Sequence, residues 1–171
     1  RGIITEANLY SNNLYCEALL RTMGRMKQGQ GTRAGGQKAI RQLWEGRGLS
    51  FQGMAIEDGS GLSAMNRVSS RFLASVMRKV AVDDQLFSTF LASLPKAGQS
   101  GTLSNRLRNT AAVGKLWAKS GAIDGVRSYT GFARLDNGNW ISFSVLVNNI
   151  PEERENTVRN KMDQLMLAFC Q

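Results

Sequence analysis

The sequence contains no histidine at all. That one absence removes the Ser-His-Asp and Cys-His nucleophile systems and most zinc sites, so proton transfer must fall to lysine, a carboxylate or tyrosine. Cysteine is nearly as scarce. Cys16 and Cys170 are the only two; they sit in apolar helical patterns without metal-ligand spacing. Buried free thiols are the default reading of such a pair, with a disulfide left open. Proline occurs twice, and no hydrophobic run is long enough to cross a membrane. The G-x-S-x-G nucleophile elbow is also missing from the glycine-rich stretch where it would be sought, around residues 57–63.

What is present is a basic chain of 171 residues with a net charge of +9. That length suits a single domain, residues 1–171, with a sizeable core. Lys and Arg are scattered, with no dense block and no stacking aromatics among them. Charge alone would suit an anionic polymer, cell wall included, but there is little to mark a nucleic-acid surface, and none is expected as partner. The chain opens on Arg1 without a Met or a signal segment. It is therefore expected to be a processed, trimmed or partial product whose address its own start does not reveal.

Residues 1–10 read as a lead-in to Ser11-Asn12-Asn13. Leu14, Tyr15, Ala18, Leu19, Thr22, Met23 and Met26 then recur at helical spacing to about Arg25, and Ser11 or Asn13 is a natural N-cap. Gly29, Gly31, Gly35 and Gly36 suggest a flexible connection before a second helix through Ala39, Ile40, Leu43 and Trp44. Residues 51–56 alternate weakly, as a short strand would. A third helix follows, carrying Phe72, Val76 and Val80 with Ser69 as cap, and a fourth is capped by Asp83 and ended by Pro95 and Gly98. A basic, helical piece is expected up to Arg108. Strands are predicted at 114–121, 126–135 and 139–149, the last two joined through Asp136-Asn137-Gly138. Val158, Met162, Leu165, Met166 and Phe169 line a closing helix. Helices, then an antiparallel meander, then a helix make an α+β fold with the sheet packed against helices.

The first predicted strand ends in Lys119-Ser120-Gly121-Ala122 before a tight turn at Asp124-Gly125. A cation and a hydroxyl side by side suit a carboxylate. Gly121 leaves no side chain to stop a ligand backbone from lying along the strand. Alone the triplet is common. With Ser11-Asn12-Asn13 upstream, it reproduces in order the second and third of three elements, S-x-x-K, S-D-N and K-T-G, that mark penicillin-binding proteins and class A β-lactamases.

The likeness extends beyond the triplets. Asp58-Gly59-Ser60-Gly61-Leu62-Ser63 with Asn66 and Val68, and Leu94 to Leu103 with Arg106-Leu107, Thr110, Gly114-Lys115 and Ala118-Lys119 following, resemble segments of the D-alanyl-D-alanine carboxypeptidases of the class C low-molecular-mass penicillin-binding proteins. The resemblance runs from about Leu9 to the closing helix. It implies a DD-peptidase/β-lactamase-like fold, of which this chain is the C-terminal part of the transpeptidase-like domain. It also implies a serine-type D-Ala-D-Ala carboxypeptidase or endopeptidase working on peptidoglycan stem peptides through an acyl-enzyme, without a cofactor or metal, in the periplasm or another extracytoplasmic space.

By the same resemblance, Ser11 shuttles a proton towards the leaving amine, Asn13 hydrogen-bonds the substrate amide, and Lys119 supplies charge to the substrate carboxylate. Ser120 hydrogen-bonds that carboxylate, Gly121 leaves room for the peptide, and the Ala122 N–H forms half of an oxyanion hole. β-Lactams would acylate the same site. Two departures stand out. Ser120 occupies a position where Thr is usual, and the nucleophilic Ser with its Lys is not in the expected place, so it would come from a missing N-terminal part of the same protein. Ser93-Leu94-Pro95-Lys96 spells S-x-x-K, but it falls at the end of a helix, where no N-terminal dipole faces the hydroxyl, and out of family order. A wall-peptide or partner-binding module that keeps the groove without catalysis is the alternative function.

Overall fold

The computed structural model describes residues 2–171; Arg1, on which the reading of the chain's start rested, lies outside them. Five helices precede the sheet: α1 Gly2–Leu9, α2 Asn13–Gln28, α3 Arg33–Glu45, α4 Ser70–Ala81 and α5 Asp84–Leu91. A 3-10 turn at Gly101–Leu103 leads to β1 Leu116–Ile123, β2 Val126–Arg134 and β3 Trp140–Val147, and α6 Glu155–Ala168 closes the fold. The strands form an antiparallel meander in the order β1-β2-β3. The α+β architecture is the expected one.

Local chemistry explains most boundaries. Ser69 Oγ accepts the Phe72 N–H at 3.1 Å, and Asp83 Oδ1 accepts that of Leu86 at 3.0 Å, so both caps stand where they were expected. Asp124-Gly125 closes β1 onto β2 as a two-residue turn with Ile123 paired to Val126 and Gly125 at φ +65°. Gly138, at φ +86°, turns β2 into β3.

Several expectations are corrected. Residues 2–9 are helical; eight residues are too few to show a hydrophobic period, and α1 is held by burial of Ala7 and a hydrogen bond from Asn8 to Ser93. The N-cap of α2 is Asn12, whose Oδ1 accepts the Tyr15 N–H at 3.1 Å, because Ser11 terminates α1 and Asn13 is already helical. Gly35 and Gly36 are no linker: they lie in the first turn of α3, buried against α2. A Cβ on Gly36 would stand 2.3 Å from Leu20 O, so this helix crossing demands glycine. Residues 51–56 form no strand, only a bridge between Ala55 and Arg67 remote from the sheet. The basic piece to Arg108 is a single 3-10 turn followed by irregular turns, with Leu107 at φ +57° breaking any helix.

The sheet is buried on both faces. Met162 and Met166 of α6 pack with Leu116, Ala118, Tyr129, Ala133 and Phe143. On the other face, Met77 and Val80 of α4 join Leu94 and Phe132, with Phe87 edge-on to Phe132 and Trp140 at 5.1 Å each. Because side chains alternate along a strand, Leu116 and Ala118 face α6 while Trp117, Lys119 and Gly121 face α4. Cys16 and Cys170 are free thiols.

Candidate active site

The parity of β1 sets up the site. Ile123 and Val126 close the hairpin, so residues 117, 119, 121 and 123 direct their backbone groups to β2, and 116, 118, 120 and 122 direct theirs to the outer edge. The segment 95–97 covers the near end of that edge: the Ala97 N–H donates to Leu116 O, and the Ala118 N–H to Pro95 O, both at 3.0 Å. Ser120 and Ala122 continue the outward parity beyond the end of that segment. An extended peptide could add there as a further strand.

Lys119 points from β1 towards the starts of α2 and α4. Its ammonium donates to Ser11 Oγ at 2.8 Å and to the Ser120 carbonyl. Burial pushes the lysine below its ordinary pKa, against a raising influence from the nearby Cys16 thiol. Burial likewise pushes the Cys16 thiol up, partly offset by Lys119. Ser11 sits at φ +55°, in the left-handed region that a serine enters only at a cost. There it ends α1, with Asn12 N–H bonded back to Ala7 O at 3.2 Å, and turns the chain into α2. The strained residue is thus the one whose hydroxyl meets the lysine.

These groups line one cleft of about 570 Å³, together with Asn13, Cys16, Gly121, Ala122 and the 58–62 loop. Asn13 is exposed at the first position of α2. The loop is self-supporting: Asp58 accepts the N–H groups of Gly61 at 2.7 Å and Ser63 at 2.9 Å, and Asn66 Nδ2 at 3.1 Å. Burial works against the Asp58 carboxylate, but these hydrogen bonds outweigh it and hold its pKa below the ordinary value. Glu17 ties the loop to α2 by accepting the Gly59 N–H at 2.9 Å.

The S-x-x-K at Ser93 has both groups engaged elsewhere. Ser93 is 3% exposed; its hydroxyl donates to Phe90 O at 2.6 Å and accepts from Asn8 Nδ2 at 2.8 Å. The Lys96 ammonium lies over the Trp117 ring, 5.0 Å from its centre. Sequence reasoning missed Thr102, whose Oγ1 accepts the Ser120 hydroxyl at 2.8 Å. No motif pairs these two positions, so only the folded chain could show it.

Residues 1–168 match the D-Ala-D-Ala carboxypeptidase 3 (S13) family. The chain belongs to that family. Among relatives of this carboxypeptidase family, it is 36% identical over 145 residues to a D-alanyl-D-alanine carboxypeptidase of an Actinomadura species, covering 82% of this chain and 26% of the relative. It is 34% identical over 174 residues to penicillin-sensitive carboxypeptidase A of Dictyostelium discoideum, covering 94% and 32%. The chain thus spans about a third or less of these relatives' length. In fold it is similar to penicillin binding protein 4 of Haemophilus influenzae, with a TM-score of 0.87 at 24% identity over 96% of this chain and 39% of that one. The TLA-3 extended-spectrum β-lactamase shares the fold at a TM-score of 0.70 and 16% identity, over 98% of this chain and 62% of that one. Among the described residues no helix is long and apolar enough to cross a membrane.

Proposed function

We propose that residues 1–171 are the C-terminal part of a transpeptidase-like domain, and that the complete protein is an extracytoplasmic serine-type D-Ala-D-Ala carboxypeptidase or endopeptidase of peptidoglycan. The observation that carries this reading is the 2.8 Å hydrogen bond between Lys119 Nζ and Ser11 Oγ, groups 108 positions apart, beside the outer edge of β1.

The stem peptide lies along β1 beyond Ala118. Its terminal carboxylate meets the Ser120 hydroxyl and the positive field of Lys119. A serine from polypeptide outside these residues, paired with its own lysine, attacks the penultimate carbonyl and passes its proton to that base. The Ala122 N–H provides one of two donors to the oxyanion. Ser11, held by Lys119, relays a proton to the departing D-Ala amine as the C–N bond breaks, while Asn13 fixes the substrate amide. Water then adds to the acyl-serine ester, and the shortened peptide leaves with its new carboxylate. β-Lactams enter the same site, and their acyl-enzyme deacylates slowly because the amine freed by ring opening stays tethered to the acyl group and does not vacate the site for water.

The test uses the complete protein, a peptide ending in D-Ala-D-Ala and benzylpenicillin. The reading requires D-Ala release and one penicilloyl adduct, mapped by peptide mass to a serine outside residues 1–171. Residues 1–171 alone should gain no mass. An adduct on any serine within this chain would overturn the assignment, and peptide binding without release or adduct would favour a non-catalytic wall-binding module.

A further inference from the structure

We propose that Thr102 is a positioning residue that sets the rotamer and the donor strength of the Ser120 hydroxyl in the carboxylate subsite. The proposal rests on the reading of that edge given above.

A serine hydroxyl has three staggered χ1 wells and a freely turning proton. The well that is occupied decides which way the O–H can be presented to a carboxylate lying along β1. The 2.8 Å contact between Ser120 Oγ and Thr102 Oγ1 selects one well before any ligand arrives. In this arrangement Ser120 is the donor and Thr102 the acceptor. A carboxylate can only accept, so on binding Ser120 must turn its proton to the ligand. Its oxygen is then best satisfied by the proton of Thr102, which reverses its role. The result is a chain, Thr102 O–H to Ser120 O–H to carboxylate, in which each bond polarises the next.

Thr102 is suited to this because its own backbone is held. It is the middle residue of the 3-10 turn Gly101–Leu103, and Leu103 is fully buried on the α6 side of the sheet. The Gly98 N–H closes on Leu103 O at 3.0 Å. Gly101, at φ +57°, lies so close to α1 that a Cβ would stand 2.7 Å from Leu9 O, two residues before Ser11. One short turn therefore touches the chain that delivers Ser11 and the strand that delivers Ser120.

A β-branched side chain in place of Ser120 would restrict χ1 by itself. Dependence on Thr102 should therefore fall in the Ser120→Thr variant.

The experiment measures kcat and KM of the complete protein, as wild type, Thr102→Val, Thr102→Ser, Ser120→Thr and the double variant combining Ser120→Thr with Thr102→Val. Each acts on a D-Ala-D-Ala peptide as the free acid and as its C-terminal methyl ester, with thermal melting as a check on folding. Thr102→Val, which keeps the shape and loses the hydroxyl, should lower kcat/KM for the acid by about three- to tenfold, the worth of one hydrogen bond. The ester, lacking the charge, should lose less than about twofold. Thr102→Ser should restore the acid, and the valine penalty should shrink in the Ser120→Thr background, a coupling between neighbours. Equal losses on acid and ester, failure of Thr102→Ser to restore, or an undiminished penalty in the Ser120→Thr background would each overturn the proposal. A wild-type protein that releases no D-Ala at all would instead overturn the reading of the edge, and this proposal with it.

Discussion

Lys119 Nζ stands 2.8 Å from Ser11 Oγ, joining the middle of β1 to the strained residue between α1 and α2. Neither position is determined by its neighbours in sequence. Lys119 is aimed by the parity of a hairpin that closes at Asp124-Gly125, and Ser11 by the end of one helix and the cap of the next. The half-buried ammonium donates to a hydroxyl and a carbonyl and, among the described residues, pairs with no carboxylate, so burial governs its pKa and lowers it.

Lys119→Ala in the complete protein should reduce acylation by benzylpenicillin by about 10²-fold or more, since it removes a preorganised charge from a partly dry site. Ser120→Thr, which keeps the hydroxyl, should change the rate little. Stopped-flow acylation rates decide this; comparable losses in the two variants would contradict the roles assigned.

Glu17 predicts an acid-sensitive cleft wall. Hydrogen bonds from Arg33 first, then from Gly59 and Arg21, lower its pKa from 4.5 to about 2. Between those values the unfolded chain binds more protons than the folded one, so this contribution is complete above pH 4.5 and fades as pH falls towards 2. Melting temperatures of wild type and Glu17→Gln should therefore converge as the pH drops through that window. A gap independent of pH would remove Glu17 from the account.

Gly36→Ala should destabilise the protein. The added Cβ meets Leu20 O at 2.3 Å, and backbone oxygen on a packed helix cannot swing aside. Overpacking of this kind costs about 1–3 kcal/mol, more than the up to about 1 kcal/mol that alanine gains in helix propensity. For a chain of this size, each net kcal/mol lowers Tm by about 2–4 °C. An unchanged or higher melting temperature would show that the α2–α3 crossing can relax.

Ser93→Ala should leave acylation untouched and cost stability of about 1 kcal/mol, because Asn8 Nδ2 loses its acceptor in a buried place. Denaturant titration and acylation rates together test it. Loss of acylation with stability intact would revive Ser93 as a functional serine.

Much of what depends on a few neighbouring residues was legible in the chain itself: the caps at Ser69 and Asp83, the turns at Asp124-Gly125 and Asp136-Asn137-Gly138, the three strands and the closing helix, though not the Asn12 cap of α2. These follow from backbone preferences and from periodicities that span one element, and the ordered triplets around Ser11 and Lys119 could be read in the same way. α1 could not, because eight residues without a period owe their helix to what they touch. Gly35 and Gly36 looked like a linker because a glycine demanded by a helix crossing and one that loosens a loop are the same letter. That Lys119 and Ser120 diverge, one towards Ser11 and the other towards Thr102, emerges only once the chain is folded. The reason is geometric: successive side chains on a strand point to opposite sides, and what waits there comes from segments whose packing no local pattern encodes.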